Sequence, residues 1–330
     1  MQTSSSVGAV GALVVAGTEA NVAALGPLIE RALEYEQAAR SVNTRRAYAA
    51  QWKLFSAWCS DFGLESLPAD PRVVELYFTS RAGEGKAPAT MKTSAAAIAY
   101  HHTEAGHASP CSDARVRKAL EGIRKQPGQR PQRQAAALSV PQLRALVRTE
   151  TDDLTALRDR ALLLVGFAAG LRRSELVGLD VGDITECPDG LRVLVRRSKT
   201  DQESRGREVG IPFGSDRVTC APRAWRAWLD ASGLTSGPAF WGVRRGKLTK
   251  RLCADAVARV VKHRADAAGL VSTDLSGHSL RAGLCTAAAA SGKSTTAIMK
   301  QTGHASATMV ARYVRHATLF TDNAASGIGL

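Results

Sequence analysis

Hydrophobic positions along the chain first follow a helical rhythm. From Ser41 onward, Tyr48, Trp52, Phe55 and Cys59 recur at steps of four, three and four residues, forming one stripe of an α-helix behind Ser and Asn caps. Arg45, Arg46 and Lys53 fall off that stripe, on the face turned to water. The spacing predicts further helices over about 71–82, 88–105 and 113–124, with loops carrying Gly63, Pro68, Gly83, Gly85 and Gly106 between them. Residues 27–125 show no period-two alternation and therefore read as a small all-helical domain. Residues 1–26, rich in Ser, Gly and Ala, read as a disordered leader. The apolar run Val7–Ala16 inside it is too short to span a bilayer and lacks a basic flank.

The rhythm breaks at Gln126. Residues 126–138 open with two prolines, one glycine and no large apolar side chain, which describes an extended basic linker that includes Arg130 and Arg133. From Asp113 to Arg133 there are seven cations and two acids, a charge that suits a segment crossing a DNA backbone. A second domain over 139–330 begins with a capping-box pattern, Ser139 and Gln142, with Pro141 in the first turn. The stretch from Leu154 to Ala169 is almost wholly apolar after Arg160, so it reads as a buried helix that Gly170 ends. Then Leu191, Val193 and Val195 alternate with Arg192, Leu194 and Arg196. A polar turn and the run Glu208–Pro212 complete a hairpin. From about Pro222 the chain reads as helices and loops, giving a mainly α architecture with a small sheet at one edge.

Composition changes the picture at one point. Hydrophobic and charged fractions are ordinary, but 44 Lys and Arg against 30 Asp and Glu leave a net charge of +14, the footprint of a protein that meets a polyanion. The scattered cysteines form no CxxC pair, which argues against a zinc module or disulfide framework and for a reducing cytoplasm. His101, His102, His107 and Cys111 match no standard metal-ligand spacing. Neither a P-loop nor a carboxylate cluster for Mg²⁺ occurs, so neither a metal nor a nucleotide cofactor is expected.

Four short segments of the second domain carry candidate chemistry. Gly170-Leu-Arg-Arg-Ser-Glu-Leu176 places Arg172 just past the buried helix and Glu175 one turn on. Ser198-Lys199-Thr200 lies in the hairpin turn. His278-Ser-Leu-Arg281 sets a His and an Arg at i, i+3, one face of a helical turn. Thr302-Gly-His304 is followed nine residues later by Tyr313. Taken singly, each arginine suits a surface ion pair and Tyr313 a half-buried helix position. In order, inside a basic two-domain chain, the four segments resemble the tyrosine recombinases, or phage-type integrases, over about residues 27–325.

That resemblance implies an N-terminal helical, SAM-like core-binding domain and an α+β catalytic domain that close on DNA as a C-shaped clamp. It also implies transesterification at a phosphodiester. Tyr313 would be the nucleophile, and Arg172 and Arg281 would neutralise the non-bridging oxygens. Lys199 would protonate the departing 5′ oxygen, a task for an ammonium, since a guanidinium does not release its proton near neutral pH. His278 matches the position that moves the nucleophile's proton, His304 one that hydrogen-bonds the phosphate, and Glu175 a supporting group. The implied partner is double-stranded DNA with specific core sites, bound by a homotetramer, with a tail after Tyr313 suited to docking on a neighbouring subunit. Groove contacts are expected from Arg45, Arg46, Lys53, Lys86, Lys92 and the linker arginines, and from Lys247, Lys250, Arg251 and Arg259 in the segment Lys247–Lys262. Two other classes share part of the pattern. A type IB topoisomerase relaxes DNA with the same tyrosine chemistry, and a non-catalytic relative only binds it. Reaction products separate the three.

Overall fold

The computed structural model describes residues 40–126, 135–148, 153–196 and 206–317, with part of 25–35. The chain divides into two compact units, residues 1–132 and 133–330. No described helix is long and apolar enough to cross a membrane.

Among the described residues the first unit has no strand, and its helices beyond residue 40 are α1 (Val42–Asp61), α2 (Pro71–Gly83), α3 (Pro88–Glu104) and α4 (Ala114–Lys125), with a 3-10 turn at Pro110–Ser112. Each predicted helix forms, with ends shifted by a residue or two, where fraying and capping decide. Ser41, Asp70 and Asp113 cap α1, α2 and α4 by accepting backbone N–H groups in the first turn. Phe55 and Cys59 of the predicted stripe are fully buried with Val74, Tyr77, Phe78, Met91, Ile98 and Val116. His102 lies in this core as a satisfied polar group. Its Nδ1 is 2.8 Å from Ile98 O, and its Nε2 accepts from Ala69 N at 2.9 Å. This histidine joins α3 to the loop before α2.

The second unit contains α5 (Val140–Val147), α6 (Leu154–Ala168) and α7 (Arg173–Gly178). Strands β1 (Ile184–Cys187), β2 (Gly190–Val195) and β3 (Arg207–Pro212) follow, then α8 (Ala221–Ser232) and the strands β4 (Trp241–Arg244) and β5 (Lys247–Arg251). Helices α9 (Ala254–Ala267), α10 (Gly277–Ala290), α11 (Thr295–Thr302) and α12 (Ala307–Ala317) complete it. The Ser139–Gln142 capping box forms reciprocally at 3.3 and 2.9 Å. Helix α6 is the central element, with Ala161, Leu162, Leu163 and Val165 all fully buried, as its nearly unbroken apolar run required. At about 1.5–3 kcal/mol for each large aliphatic side chain buried, this helix anchors everything attached to its ends.

The three-stranded sheet runs β1-β2-β3, antiparallel throughout, with Leu191 opposite Ile211 and Val195 opposite Arg207. Leu191, Val193 and Val195 face the core, as their alternation predicted. Two sheet features depart from the expected helices and loops. Strand β1 is four residues long with a single buried apolar side chain, too little for a periodic signal. The β4–β5 hairpin stands where the sequence reads as helix. Its apolar residues Trp241, Val243 and Leu248 are only half-buried and sit among cations, while Arg245 and Gly246 at φ 50° and 70° make the tight turn.

Helix α10 passes the Leu138 backbone so closely that a Cβ at Gly283 would lie 2.2 Å from Leu138 O and 2.7 Å from the Phe167 ring. Gly283→Ala is therefore expected to destabilise the second unit by about 1–3 kcal/mol through forced backbone movement. Chemical denaturation measures it, and unchanged stability would contradict the close approach.

Candidate active site

Sequence-local geometry presents three of the candidate groups. Gly170, at φ +60°, turns the chain out of α6 in a conformation that favours glycine. Two residues on, Arg172 occupies the cap position of α7 and Glu175 its third position. The Glu175 carboxylate accepts from Arg172 N at 2.9 Å through Oε2 and from Arg172 Nη1 at 2.5 Å through Oε1. Glu175 is buried, so this bidentate hold fixes the guanidinium on a rigid base. Ser276 caps α10, and the i, i+3 spacing then aims His278 and Arg281 the same way.

Tertiary contacts bring these elements together at the turn Thr302-Gly303-His304. Arg281 is 2% exposed; its Nη1 donates to Gly170 O at 2.7 Å and to Thr302 O. Arg172 Nη2 points to Gly303 O at 3.4 Å. Thr302 Oγ1 lies 2.6 Å from His304 Nδ1 and 2.6 Å from Ile298 O. Gly170 is forced by space as well as by φ, because a Cβ there would sit 2.7 Å from Thr302 Cγ2. Helix α12 packs on α10 and α11 and carries Tyr313, which is 9% exposed with its hydroxyl 3.2 Å from His278 Nε2. The rings of Tyr313 and His304 stand 6.1 Å apart.

Charge is the defining feature of this cluster. Three guanidinium groups, those of Arg172, Arg207 and Arg281, interact with the carboxylate of Glu175. Burial pushes the Arg281 pKa down to about 10, helped by the positive charge of Arg172. Burial, then the charges of Arg281 and Arg172, hold His304 at about 4, and burial followed by Arg281 and neighbouring arginines lowers His278. Both imidazoles are therefore neutral at pH 7. Arg281 Nη2 is buried and has no hydrogen-bond partner among the described residues. A buried donor in a positive pocket is what a phosphate oxygen would satisfy.

The lowered His304 value has a stability consequence. Between about pH 6.5 and 4 the unfolded chain takes up a proton at this residue that the folded chain does not. Its contribution is complete above the unfolded value and is lost as the pH falls. The melting temperature is expected to drop through that window, and less so in His304→Asn; identical pH profiles for the two proteins would refute this.

The groove candidates are not gathered in this cluster. Arg45, Arg46 and Lys53 lie exposed on α1 and Lys92 on α3, while the Lys86 ammonium is 3.9 Å from Glu84. Lys247 and Lys250 are exposed on β5, and Arg259 on α9. Arg251, also exposed on β5, has its guanidinium engaged. Its guanidinium donates to Val177 O, Leu179 O and Asp180, clamping the end of α7 to β5. Lys199, Arg130 and Arg133 lie outside the described residues. Sequence reasoning missed Arg207. The only hint was its place at the start of an alternating strand, and nothing there indicates which way a guanidinium turns.

The family model described as "Phage integrase family" matches residues 137–319, more than half of the chain and the whole of this cluster. The chain belongs to the phage integrase family. Among its relatives is the "Integrase/recombinase xerD homolog" of Selenomonas ruminantium, 36% identical over 86% of this chain and 84% of that protein. The tyrosine recombinase XerC of Mycobacterium sp. (strain KMS) is 29% identical over 73% of this chain and 77% of its own. The fold is shared with the Tn1549 transposon integrase solved in complex with transposon right end DNA (TM-score 0.60, 15% identity, 85% of this chain and 91% of that one). It is shared also with a lambda integrase dimer bound to a COC′ core site (TM-score 0.56, 16% identity, 91% and 81%). This integrase-family chain is thus an enzyme of the tyrosine site-specific recombinase class, and the mainly α reading of its fold holds.

Proposed function

We propose that this chain recombines DNA at specific core sites as a homotetramer, through a 3′-phosphotyrosine at Tyr313. The observation that carries the assignment of roles is the Tyr313 hydroxyl paired with neutral His278 Nε2, on the same helix as Arg281, whose Nη2 is buried without a partner among the described residues. His278 accepts the phenolic proton as the Tyr313 oxygen attacks phosphorus. Arg172 and Arg281 bind the non-bridging oxygens as their charge grows. The Thr302 hydroxyl donates to Ile298 O, so His304 Nδ1 donates to Thr302 and the neutral ring presents its Nε2 lone pair to the pocket; His304 donates to the same phosphate once that nitrogen takes up a proton.

The P–O5′ bond breaks, and Lys199 delivers the proton that leaves with the 5′ hydroxyl. A 5′ hydroxyl from the second site then attacks the phosphotyrosine and returns Tyr313 to its free state. The ester conserves the energy of the broken phosphodiester, so this sequence needs neither metal nor nucleotide. The reading includes a clamp of two domains around the duplex, joined by the basic linker, groove contacts from the exposed cations of α1, α3, β5 and α9, and action in the cytoplasm.

The test uses a plasmid carrying two copies of a duplex that the protein selects from a random pool. Recombinant products and a synaptic tetramer are expected. Relaxed plasmid without recombinants would replace this reading with a topoisomerase, and binding without any covalent adduct would replace it with a DNA-binding protein.

A further inference from the structure

We infer that Arg207 is a positioning residue for strand cleavage, holding Glu175 and the turn at 301–304 in the register that Arg172 and His304 require. The inference rests on the recombinase reading above and extends it to a residue with no assigned role.

Arg207 opens β3, and its guanidinium turns inward. Nη1 donates to Gln301 O at 2.8 Å, and Nη2 reaches Glu175 Oε2 at 3.4 Å. It therefore links three segments far apart in the chain: the sheet, the start of α7 and the end of α11. The Arg207 side chain lies against Gly303, where a Cβ would fall 2.7 Å from Arg207 Nε. Gly303 also has φ +67°, so both its backbone and this contact call for glycine. The Gln301 side chain reinforces the same turn, donating to Ala168 O at 2.8 Å and Gly210 O at 3.0 Å.

This arrangement is costly. Burial pushes the Arg207 pKa down, and Arg172 repels it, while Glu175 opposes both. An apolar side chain would avoid the desolvation and the repulsion. What it could not supply is a pair of directed hydrogen bonds, one to the backbone beside Thr302 and one to the carboxylate that fixes Arg172. Because Arg281 also donates to Thr302 O and Arg172 Nη2 points at Gly303 O, a shift of this turn moves every phosphate-facing group together. Arg207 Nε is buried without a partner among the described residues and faces Gly303, which marks the residue as a brace behind the pocket.

The test compares wild-type protein with Arg207→Ala, Arg207→Gln and Arg207→Lys on the selected duplex, nicked so that the covalent adduct is trapped. Melting temperature and DNA affinity are measured beside the adduct rate, and the His304 imidazole is titrated by NMR. At saturating DNA the Ala and Gln variants are expected to form adduct roughly a hundredfold more slowly, the cost of a small misplacement. Affinity should stay near wild type, and Lys should restore part of the rate. His304 should titrate higher once this neighbouring charge is gone. Adduct rates equal to wild type, or losses that follow melting temperature alone with His304 unmoved, would overturn the inference. So would failure of all three variants to fold, since the residue would then be structural. A wild-type protein that forms no adduct on the duplex it selects would instead overturn the recombinase reading.

Discussion

Tyr313→Phe is expected to bind the selected duplex as wild type does and to form no covalent adduct on its nicked form. The substitution removes one oxygen atom and keeps the aromatic ring, the part that can contribute to the small apolar cluster of Tyr313 with Ala282, Cys285 and Val310, so α12 should stay packed against α10. What disappears is the protein's bond-forming atom in the proposed mechanism, and with it the 3.2 Å contact to His278. Residual chemistry from water has no path to a protein–DNA ester, so the effect is complete rather than graded. Denaturing gel electrophoresis of the trapped complex reads it directly. An adduct of wild-type yield would transfer the nucleophile to another residue and undo the roles assigned to Arg172, Arg281 and His278.

Lys199→Ala is expected to lower cleavage of ordinary DNA by ~10²–10⁴-fold, the range for loss of a general acid. The diagnostic part is the rescue. On a duplex whose bridging 5′ oxygen at the cleavage point is replaced by sulfur, the leaving group departs as a thiolate and needs no proton, so the variant should cleave nearly as fast as wild type. Loss without rescue would assign Lys199 to binding or phosphate neutralisation and leave the acid to be found elsewhere. The lysine is singled out by chemistry. It is the only lysine between Lys125 and Lys247, in a stretch rich in arginines that cannot do this work.

The longer helices, such as α1 and α6, were legible because an apolar stripe or an unbroken apolar run extends over more than ten residues, and a pattern carried that long has one reading. Strand β1 and the β4–β5 hairpin were not, because four or five residues with half-buried apolar positions carry no period at all. The site divides along a similar line. Arg172 with Glu175, and His278 with Arg281, act from single helical turns, so their i, i+3 spacing is written in the local chain. Arg207 meets Glu175 and Gln301 from 32 and 94 residues away, a relation that no local spacing encodes. Arg251 shows the same limit from the other side: it shares its charge with Lys247 and Lys250 and is exposed like them, yet charge alone does not reveal that its guanidinium also holds two carbonyls and Asp180.

From the order of residue types came the proposed nucleophile, acid and phosphate clamp, because each task restricts which side chain can perform it. Folding decided how those groups behave. It packed the turn at 302–304 against α10 and the end of α6, brought three guanidiniums into interaction with the buried Glu175 carboxylate, and thereby kept His278 and His304 neutral. Burial and mutual repulsion arise between segments that meet only in three dimensions, so the electrostatics of the pocket are a property of the fold even though every charge in it is visible in the sequence.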